Sequence, residues 1–335
     1  MYDSLWGSSA LREGDDLDTC FLPQNEYQIN YLRKNVRFNL DFVIGQRARS
    51  VLVDTFKLMT ELKLLSISNS GDDDTIADLL RTISNNSHLQ RFNLLLNNNI
   101  NVDVKTVRAI TGLLKKRKIS AMLLRQEGED FGKNAMKAIS SVKDSGLEVL
   151  KLELDMGLDG VISLSKMLVK NKSITQLTIE NSSINAEKLL QISKSIKTSS
   201  VTELGLPGNG LQDADMIPMQ NLLRRSKLRL SVLHLSHNKI GDVGARYLSE
   251  VIARNLNIKY LDLTHNVIGE VGARLIALAW VSKGRTHLST IRRYRNWYRF
   301  LDLHMNGNPG YAYFAEHFER HWRSMQNRGT AAGAA

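Results

Sequence analysis

Histidine and acidic side chains that could do chemistry concentrate in one stretch, LHLSHNKIGDVGARYLSEVIARN, from Leu233 to Asn255. An imidazole beside a carboxylate is a pair used in general acid–base catalysis, and glycines before a helix can form a phosphate-binding loop. His234, His237 and Asp242 have no nucleophile fixed beside them, however, and no Walker A or Rossmann glycine pattern follows a strand in the chain. We therefore interpret the histidines as solvent-facing residues and Asp242 as a charge at a helix N-terminus.

Two other stretches have the residue types of metal sites without the spacing. His317 and His321 lie four positions apart on a predicted helix, but HFERH is not the HExxH pattern and no third ligand is evident. The run GDDDT, residues 71–75, lacks the alternating ligands of a calcium loop and is typical of helix capping. The sequence therefore predicts no metal, no cofactor, no catalytic residue and no small-molecule substrate, hence a protein that is not an enzyme.

The first stretch is one copy of a repeat. Leu233 aligns with Leu261, and Asn238 with Asn266, in a second copy that also follows the pattern LxxLxLxxNxI. Weaker copies precede these two at a spacing of 27 to 30 residues. Their residues equivalent to Leu233 are Phe38, Leu65, Phe92, Met122, Leu150, Leu177 and Leu204. One more copy follows, in which Leu301 takes the leucine position and Asn306 the asparagine position.

Each copy predicts a short strand, a turn and a helix. Alternating leucines face one side of the strand, the asparagine bonds the turn, and the helix buries one apolar face. The pattern resembles the ribonuclease-inhibitor type of leucine-rich repeat. That resemblance implies an α/β solenoid, a horseshoe with a parallel concave sheet inside and helices outside, of about eight to nine repeats.

The predicted boundaries follow from the repeat. Residues 1–37 are an N-terminal extension or cap, 38–308 are the repeats, 309–325 are a C-terminal capping helix, and 326–335 are a flexible tail. The last repeat is much longer than the others, and we place an insertion at about residues 281–299.

Two groups of residues could bind a partner. The alternation places the first group on the concave face of the C-terminal repeats: Glu203, His234, Ser236, Tyr260, Asp262, Thr264, Phe300, Asp302 and His304. The insertion holds the second group: Arg292, Arg293, Tyr294, Arg295, Trp297, Tyr298 and Arg299. Aromatic side chains and arginines are the residues most enriched at interface hot spots, so both groups are candidate protein-binding sites.

Charge and composition limit the class of partner and the compartment. The net charge of +11 favours an acidic partner. Basic runs at residues 115–118 and 224–229 fall at predicted helix ends, where the helix dipole favours cations, or could align as a basic rim. Nucleic acid is not favoured, because no nucleic-acid-binding motif is present. A single cysteine, Cys20, with no long apolar run and no secretory signal, predicts a protein of a reducing intracellular compartment without membrane insertion.

The resemblance implies a non-catalytic scaffold for protein–protein interaction. The C-terminal repeats are most similar to ciliary and cytoskeletal leucine-rich-repeat proteins, such as the leucine-rich-repeat subunit of the nexin–dynein regulatory complex. That similarity implies a structural or regulatory subunit in the cytoplasm or cilium. Two alternatives stay open: a bacterial leucine-rich-repeat effector that inhibits another protein in the host cytosol, and a basic RNA-associated assembly factor.

Overall fold

Parallel strands alternate with helices along the chain, which confirms the predicted α/β leucine-rich-repeat solenoid. The computed structural model describes residues 37–41, 46–68, 72–85, 88–96, 104–116, 118–126, 129–142, 145–224, 228–255, 257–290 and 302–319. Most of the predicted N-terminal extension, the arginine-rich part of the insertion and the tail lie outside these residues. Two compact units divide the chain, Met1–Leu147 and Glu148–Ala335.

Within its described residues, the first unit contains four parallel strands and four helices. Its strands are β1 (Arg37–Asp41), β2 (Leu64–Ser68), β3 (Arg91–Leu95) and β4 (Ala121–Gln126), and its helices are α1 (Gln46–Leu58), α2 (Asp73–Ile83), α3 (Val104–Lys115) and α4 (Glu129–Ile139). Each strand pairs with the next in sequence. The register places Phe38, Leu65, Phe92 and Met122 opposite one another, as the repeat predicts.

The part of the second unit that the structure describes contains six parallel strands. They are β5 (Val149–Leu154), β6 (Gln176–Ile179), β7 (Glu203–Gly205), β8 (Val232–His234), β9 (Tyr260–Asp262) and β10 (Asp302–His304). The helices are α5 (Gly157–Lys170), α6 (Ala186–Ile196), α7 (Met216–Leu223), α8 (Asp242–Ile252), α9 (Glu270–Thr290) and α10 (Tyr311–Phe314). A 3₁₀ turn, Asp213–Asp215, precedes α7, and a π-helical turn, Ala315–Glu319, follows α10. Leu150, Leu177, Leu204, Leu233 and Leu261 are in register, as predicted.

The last repeat differs from the sequence-based alignment by two residues. Leu303, not Leu301, lies opposite Leu261. The sequence LDL offers both leucines, and a shift of two keeps the same side chains on the same face, so alternation alone cannot choose between them. Helix α9 continues to Thr290, so the predicted insertion begins as a helix. The described part of the capping helix ends at Glu319, with the rings of Phe314 and Phe318 6.3 Å apart.

In the last four repeats, a buried asparagine ties the turn to the turn of the preceding repeat: Asn209, Asn238, Asn266 and Asn308. The side-chain nitrogen of Asn238 donates to the carbonyls of Leu206 and Leu235, both at 2.9 Å, while its oxygen accepts from the backbone N–H groups of Asn209 and Leu211, both at 3.0 Å. Because these turn groups have no sheet partner, the side chain supplies the hydrogen bonds that burial requires. The predicted role of Asn238 is confirmed, and it spans two repeats rather than one.

The asparagine of the last repeat is Asn308, which corrects the prediction of Asn306. The side chain of Asn308 donates to the carbonyls of Leu263 and Met305, both at 2.8 Å, and accepts from the N–H of Ile268 at 3.1 Å. Asn308 is buried, whereas Asn306 is exposed. The reason is the same two-residue shift that places Leu303 opposite Leu261.

Aspartates at helix starts cap the helix of the following repeat. The Oδ1 atom of Asp242 accepts from the N–H groups of Gly269 and Gly272, at 2.8 and 2.9 Å. Asp213 bonds Gly241 and Gly244 in the same way. The first turn of a helix has unpaired N–H groups and a partial positive charge, which a carboxylate satisfies. Asp242 therefore meets a helix N-terminus, as predicted, but that of α9 rather than its own α8.

Candidate protein-binding surface

Two rows of side chains cross strands β7 to β10 on the face opposite the buried leucines. The parallel register places Glu203, Val232, Tyr260 and Asp302 in one row. The second row contains Gly205, His234, Asp262 and His304. We call these eight positions the strand-face patch. Strand pairing thus brings together six of the predicted site residues from four separate repeats.

His234 lies at the centre of the patch between two carboxylates. Its Nε2 is 3.4 Å from Oε1 of Glu203, and its Nδ1 is 3.7 Å from Oδ2 of Asp262. The second distance is longer than a good hydrogen bond, so we treat it as a charge contact that strengthens when the ring is protonated. The interaction with Asp262 is the largest influence on His234; with the carboxylate of Glu203 it raises the pKa of the imidazole above 6.5, against the opposing effect of burial.

Asp262 is the carboxylate most enclosed by donors in the patch. Burial alone would raise the pKa of this carboxyl, but His234, the backbone N–H and hydroxyl of Thr264, and the hydroxyl of Ser236 lower it to about 2. The N–H of Thr264 is 2.9 Å from Oδ1. Hydrogen bonds to the ionised form outweigh desolvation here, so Asp262 holds its negative charge at neutral pH.

Tyr260 is the centre of a cluster of three aromatic rings that spans both rows. Its ring centroid lies 4.9 Å from that of His234 and 5.1 Å from that of His304. Burial, followed by the charges of Asp262, Asp302 and Glu203, raises the pKa of the Tyr260 hydroxyl. The ring therefore stands in a field of negative charge.

The outer edge of the patch is a second histidine–carboxylate pair. Nε2 of His304 lies 3.1 Å from Oδ2 of Asp302. Asp302 is 60 % exposed in its side chain, so this pair is far wetter than that of Asp262, which is 15 % exposed. Solvent screens the outer pair, so it contributes little to stability and stays available to a ligand.

The charge of the patch is opposite to that of the whole chain. Its positions include three carboxylates, those of Glu203, Asp262 and Asp302, and neither a lysine nor an arginine. The complete chain has a net charge of +11. The acidic partner expected from net charge therefore does not match this face.

Three of the residues predicted to bind a partner on the concave face are not among the eight positions of the patch. Ser236 is 8 % exposed, and its hydroxyl contacts the carboxylate of Asp262, so it stabilises the charge of Asp262 and is too buried to contact a partner. Thr264 acts on the same carboxylate. Phe300 lies outside the described residues. The sequence-based list omitted Val232 and Gly205, although alternation from Leu233 and Leu204 would have found both.

The catalytic interpretation of the histidine cluster gains no support from this geometry. The hydroxyl of Ser236 contacts a carboxylate instead of an imidazole nitrogen, so the serine is not arranged as a nucleophile beside its base. His237 and His265 have φ values of 55° and 54°, and their rings stack at 4.4 Å. These two histidines have the left-handed backbone conformation that Gly208 and Gly307 have at the equivalent turn positions of neighbouring repeats. Within the described ranges, no group of three histidine, cysteine or acidic residues could hold a metal ion.

The second predicted binding group lies outside the described residues: Arg292, Arg293, Tyr294, Arg295, Trp297, Tyr298 and Arg299.

The basic runs at residues 115–118 and 224–229 are partly described. Nζ of Lys116 donates to the carbonyl of Ser84 at 2.7 Å and to the side-chain oxygen of Asn85 at 2.9 Å. This lysine therefore satisfies the end of a neighbouring helix, which is the structural explanation for cations at that position. In the second unit, an open depression is lined by Lys172, Lys197 and Arg229 with residues 198–200.

None of the helices within the described residues is both long and apolar enough to cross a membrane.

The comparisons with known proteins identify the repeat. A family model described as Leucine Rich repeat matches residues 230–249 and 254–277, which contain β8, β9, most of α8 and the start of α9. No curated protein sequence matches the chain significantly.

Three solved structures illustrate the similarity. Leiomodin-1 actin-binding site 2 is 14 % identical over 41 % of this chain and 82 % of that one, with a TM-score of 0.33. A complex of TLR13 with ssRNA13 is 13 % identical over 72 % of this chain and 34 % of that one, with a TM-score of 0.42. An internalin from Listeria monocytogenes is 14 % identical over 84 % of this chain and 83 % of that one, with a TM-score of 0.36. The family match and the order of strands and helices around it support leucine-rich repeats at residues 230–249 and 254–277.

Proposed function

We propose that this protein is a non-catalytic scaffold that binds a partner protein through the strand-face patch. The observation that carries the proposal is the cluster of the His234, Tyr260 and His304 rings, flanked by carboxylates and still accessible to solvent. Half-buried aromatic rings with charged neighbours are the composition of interface hot spots. Because the rings are held by strand pairing, little conformational entropy is lost when a partner binds.

The arginine-rich insertion is the second proposed contact. Residues 292–299 come directly before β10 in the chain, so they are close in sequence to Asp302 and His304 of the patch. Two linked contacts raise the effective affinity of a scaffold beyond that of either alone.

The setting of the scaffold stays a prediction from resemblance and charge. A cytoskeletal or ciliary assembly is the proposed setting, in the cytoplasm or the cilium. An effector that inhibits a protein in a host cytosol and an RNA-associated factor are the alternatives, and each names a different class of captured molecule.

Capture of partners by the tagged full chain, followed by mass spectrometry and RNA sequencing, tests these classes together. We expect a protein whose recovery falls about tenfold with Tyr260→Ala, the loss typical of one hot-spot side chain. Val271→Ala is the matched control, because Val271 is 64 % exposed on helix α9 and away from the strand face. Equal recovery with both variants would contradict binding at the patch and move the site to residues 292–299. Recovery of RNA alone would favour the RNA-associated factor.

A further inference from the structure

We propose that the strand-face patch binds a basic segment of its partner and seats an arginine of that segment against the Tyr260 ring, between the carboxylates of Glu203 and Asp302. This inference rests on the proposed function, because it names the partner's chemistry at the same surface.

The row geometry places the ring and the carboxylates within reach of one guanidinium. Glu203, Tyr260 and Asp302 share a row, with Val232 between the first two. Adjacent strands lie about 4.8 Å apart, so Asp302 is about one strand spacing from Tyr260 and Glu203 about two. A guanidinium over the ring can therefore reach Asp302 directly. The carboxylate of Glu203 is on the other side, 3.4 Å from Nε2 of His234, whose ring centroid is 4.9 Å from that of Tyr260.

The charges of the patch are only partly satisfied within the protein. Glu203 shares His234 with Asp262, and only its Oε1 atom takes part in the 3.4 Å contact, so the carboxylate keeps free acceptor capacity. Asp302 contacts His304 with one oxygen and is largely exposed. Asp262, by contrast, accepts from Ser236 and Thr264, has its charge contact with His234 at 3.7 Å, and is committed to the fold. Two carboxylates thus remain available to a cation, and they lie on either side of the ring in its row.

Arginine suits this arrangement better than the other charged side chains. A guanidinium stacks on a tyrosine ring and donates to carboxylates at its edges, whereas the compact ammonium of lysine forms a point contact. An acidic side chain would meet three carboxylates at a ring that is already in a negative field. The half-buried position strengthens the attraction relative to a fully exposed pair.

Synthetic peptides test the chemistry directly. The probes are three fluorescent peptides of the same glycine–serine sequence with two arginines, two citrullines or two glutamates, titrated against the full chain at low ionic strength. Citrulline keeps the shape of arginine and removes its charge. We expect the arginine peptide to bind about tenfold more tightly than the citrulline peptide, and the glutamate peptide to bind most weakly. Equal binding of the arginine and citrulline peptides would overturn the proposal.

Variants assign the effect to the patch. Glu203→Gln combined with Asp302→Asn should remove the preference for arginine over citrulline, and Tyr260→Ala should weaken the arginine peptide about tenfold. Glu187→Gln is the matched control, because it removes one negative charge from an exposed position on helix α6. Retention of the arginine preference in the double amide variant would contradict the role of the two carboxylates.

The captured partner separates this inference from the proposed function. If Tyr260→Ala releases the partner but the double amide variant binds it as well as or better than wild type, the scaffold function stands and the arginine inference is wrong. If Tyr260→Ala leaves the partner bound, the proposed function at this surface fails.

Discussion

The carboxylate of Asp262 shows how single residues set the electrostatics of the patch. Burial disfavours its charge, yet the donors around it lower its pKa to about 2. An acid held in its ionised form in turn favours the protonated form of the histidine beside it, and the pKa of His234 is raised. Glu203 and Tyr260 also contact His234, and Glu203 acts in the same direction on its pKa.

The first prediction concerns stability against pH at His234. Because the folded-state pKa of His234 is raised above 6.5, its stabilising contribution is fully present below about pH 6.5 and is lost as pH rises through the folded value. We expect His234→Gln to lower the free energy of unfolding by about 1 kcal/mol at mildly acidic pH and by much less at alkaline pH. Urea denaturation across this pH range measures the difference, and a penalty that grows with pH would contradict it.

Asp262→Asn has the opposite pH profile and is the second prediction. Its folded-state pKa is lowered from 3.8 to about 2, so its contribution is present above the unfolded value and is lost as pH falls toward 2. The shift corresponds to about 2 kcal/mol at neutral pH. The same denaturation experiment should show this loss at neutral pH and almost none near pH 2; a constant loss would indicate steric disruption instead.

The third prediction compares two asparagines of the last repeat. Asn308→Ala leaves two buried carbonyls and one N–H without their side-chain partner, and should cost about 2 kcal/mol or more. Asn306→Ala changes an exposed residue and should cost less than about 0.5 kcal/mol. Thermal unfolding of the two variants measures the contrast. Equal losses would mean that the last repeat does not have the register described above.

Among the elements, the starts of helices α3, α8 and α9 depend on an aspartate of the repeat before them. Asp242 begins α8 but caps α9, and Asp73 of α2 accepts from the N–H groups of Lys105 and Thr106 at the start of α3. Gly244 and Gly272 are needed because of this contact. Their φ values are negative, and the carboxylate of the preceding repeat occupies the space that a side chain would need.

The fourth prediction tests the space at Gly272. A Cβ there would lie 2.5 Å from Oδ1 of Asp242 and 2.9 Å from Cβ of Ala245. Gly272→Ala should therefore destabilise the protein by about 1–3 kcal/mol. Gly112→Ala is the control, because a Cβ at Gly112 in α3 meets nothing within 4 Å and should stabilise by up to about 1 kcal/mol. Opposite signs in denaturant midpoints are expected, and a neutral Gly272→Ala would contradict the close contact.

For the whole molecule, the fifth prediction is that each repeat is stabilised mainly by contacts with its direct neighbours. Contacts of Asn238, Asn266 and Asn308 each reach one repeat back. Stability in such a chain is close to a sum of nearest-neighbour contributions. Hydrogen exchange of Asn308→Ala should therefore accelerate at the amides of β9 and β10 and stay unchanged in β2 to β4. Equal acceleration in all strands would show a single cooperative unit instead.

Most of the fold could be predicted from the spacing of the repeats and from the alternation of apolar residues in their strands. Leucines at a spacing near 28 residues predicted the strands, their parallel register from Leu150 to Leu261, and the side of the sheet on which His234, Tyr260 and Asp262 lie. These properties are local and periodic, so one sequence is enough to read them. The alternation did not predict the two-residue shift in the last repeat, because Leu301 and Leu303 both fit the same alternating pattern.

Which charges lie close together depends on the three-dimensional fold. Composition and alternation are enough to predict a basic chain with solvent-facing histidines, because neither requires knowing which repeats are neighbours. The pairing of strands β7 to β9 brings Glu203, His234 and Asp262 together, and β10 completes an acidic face with aromatic rings on a protein of net charge +11. The stacking of repeats also places Asp242 at the start of the next helix, α9. The physical reason is that electrostatic interactions depend on distance between residues about 30 or more positions apart, which strand pairing sets and the order of residues does not.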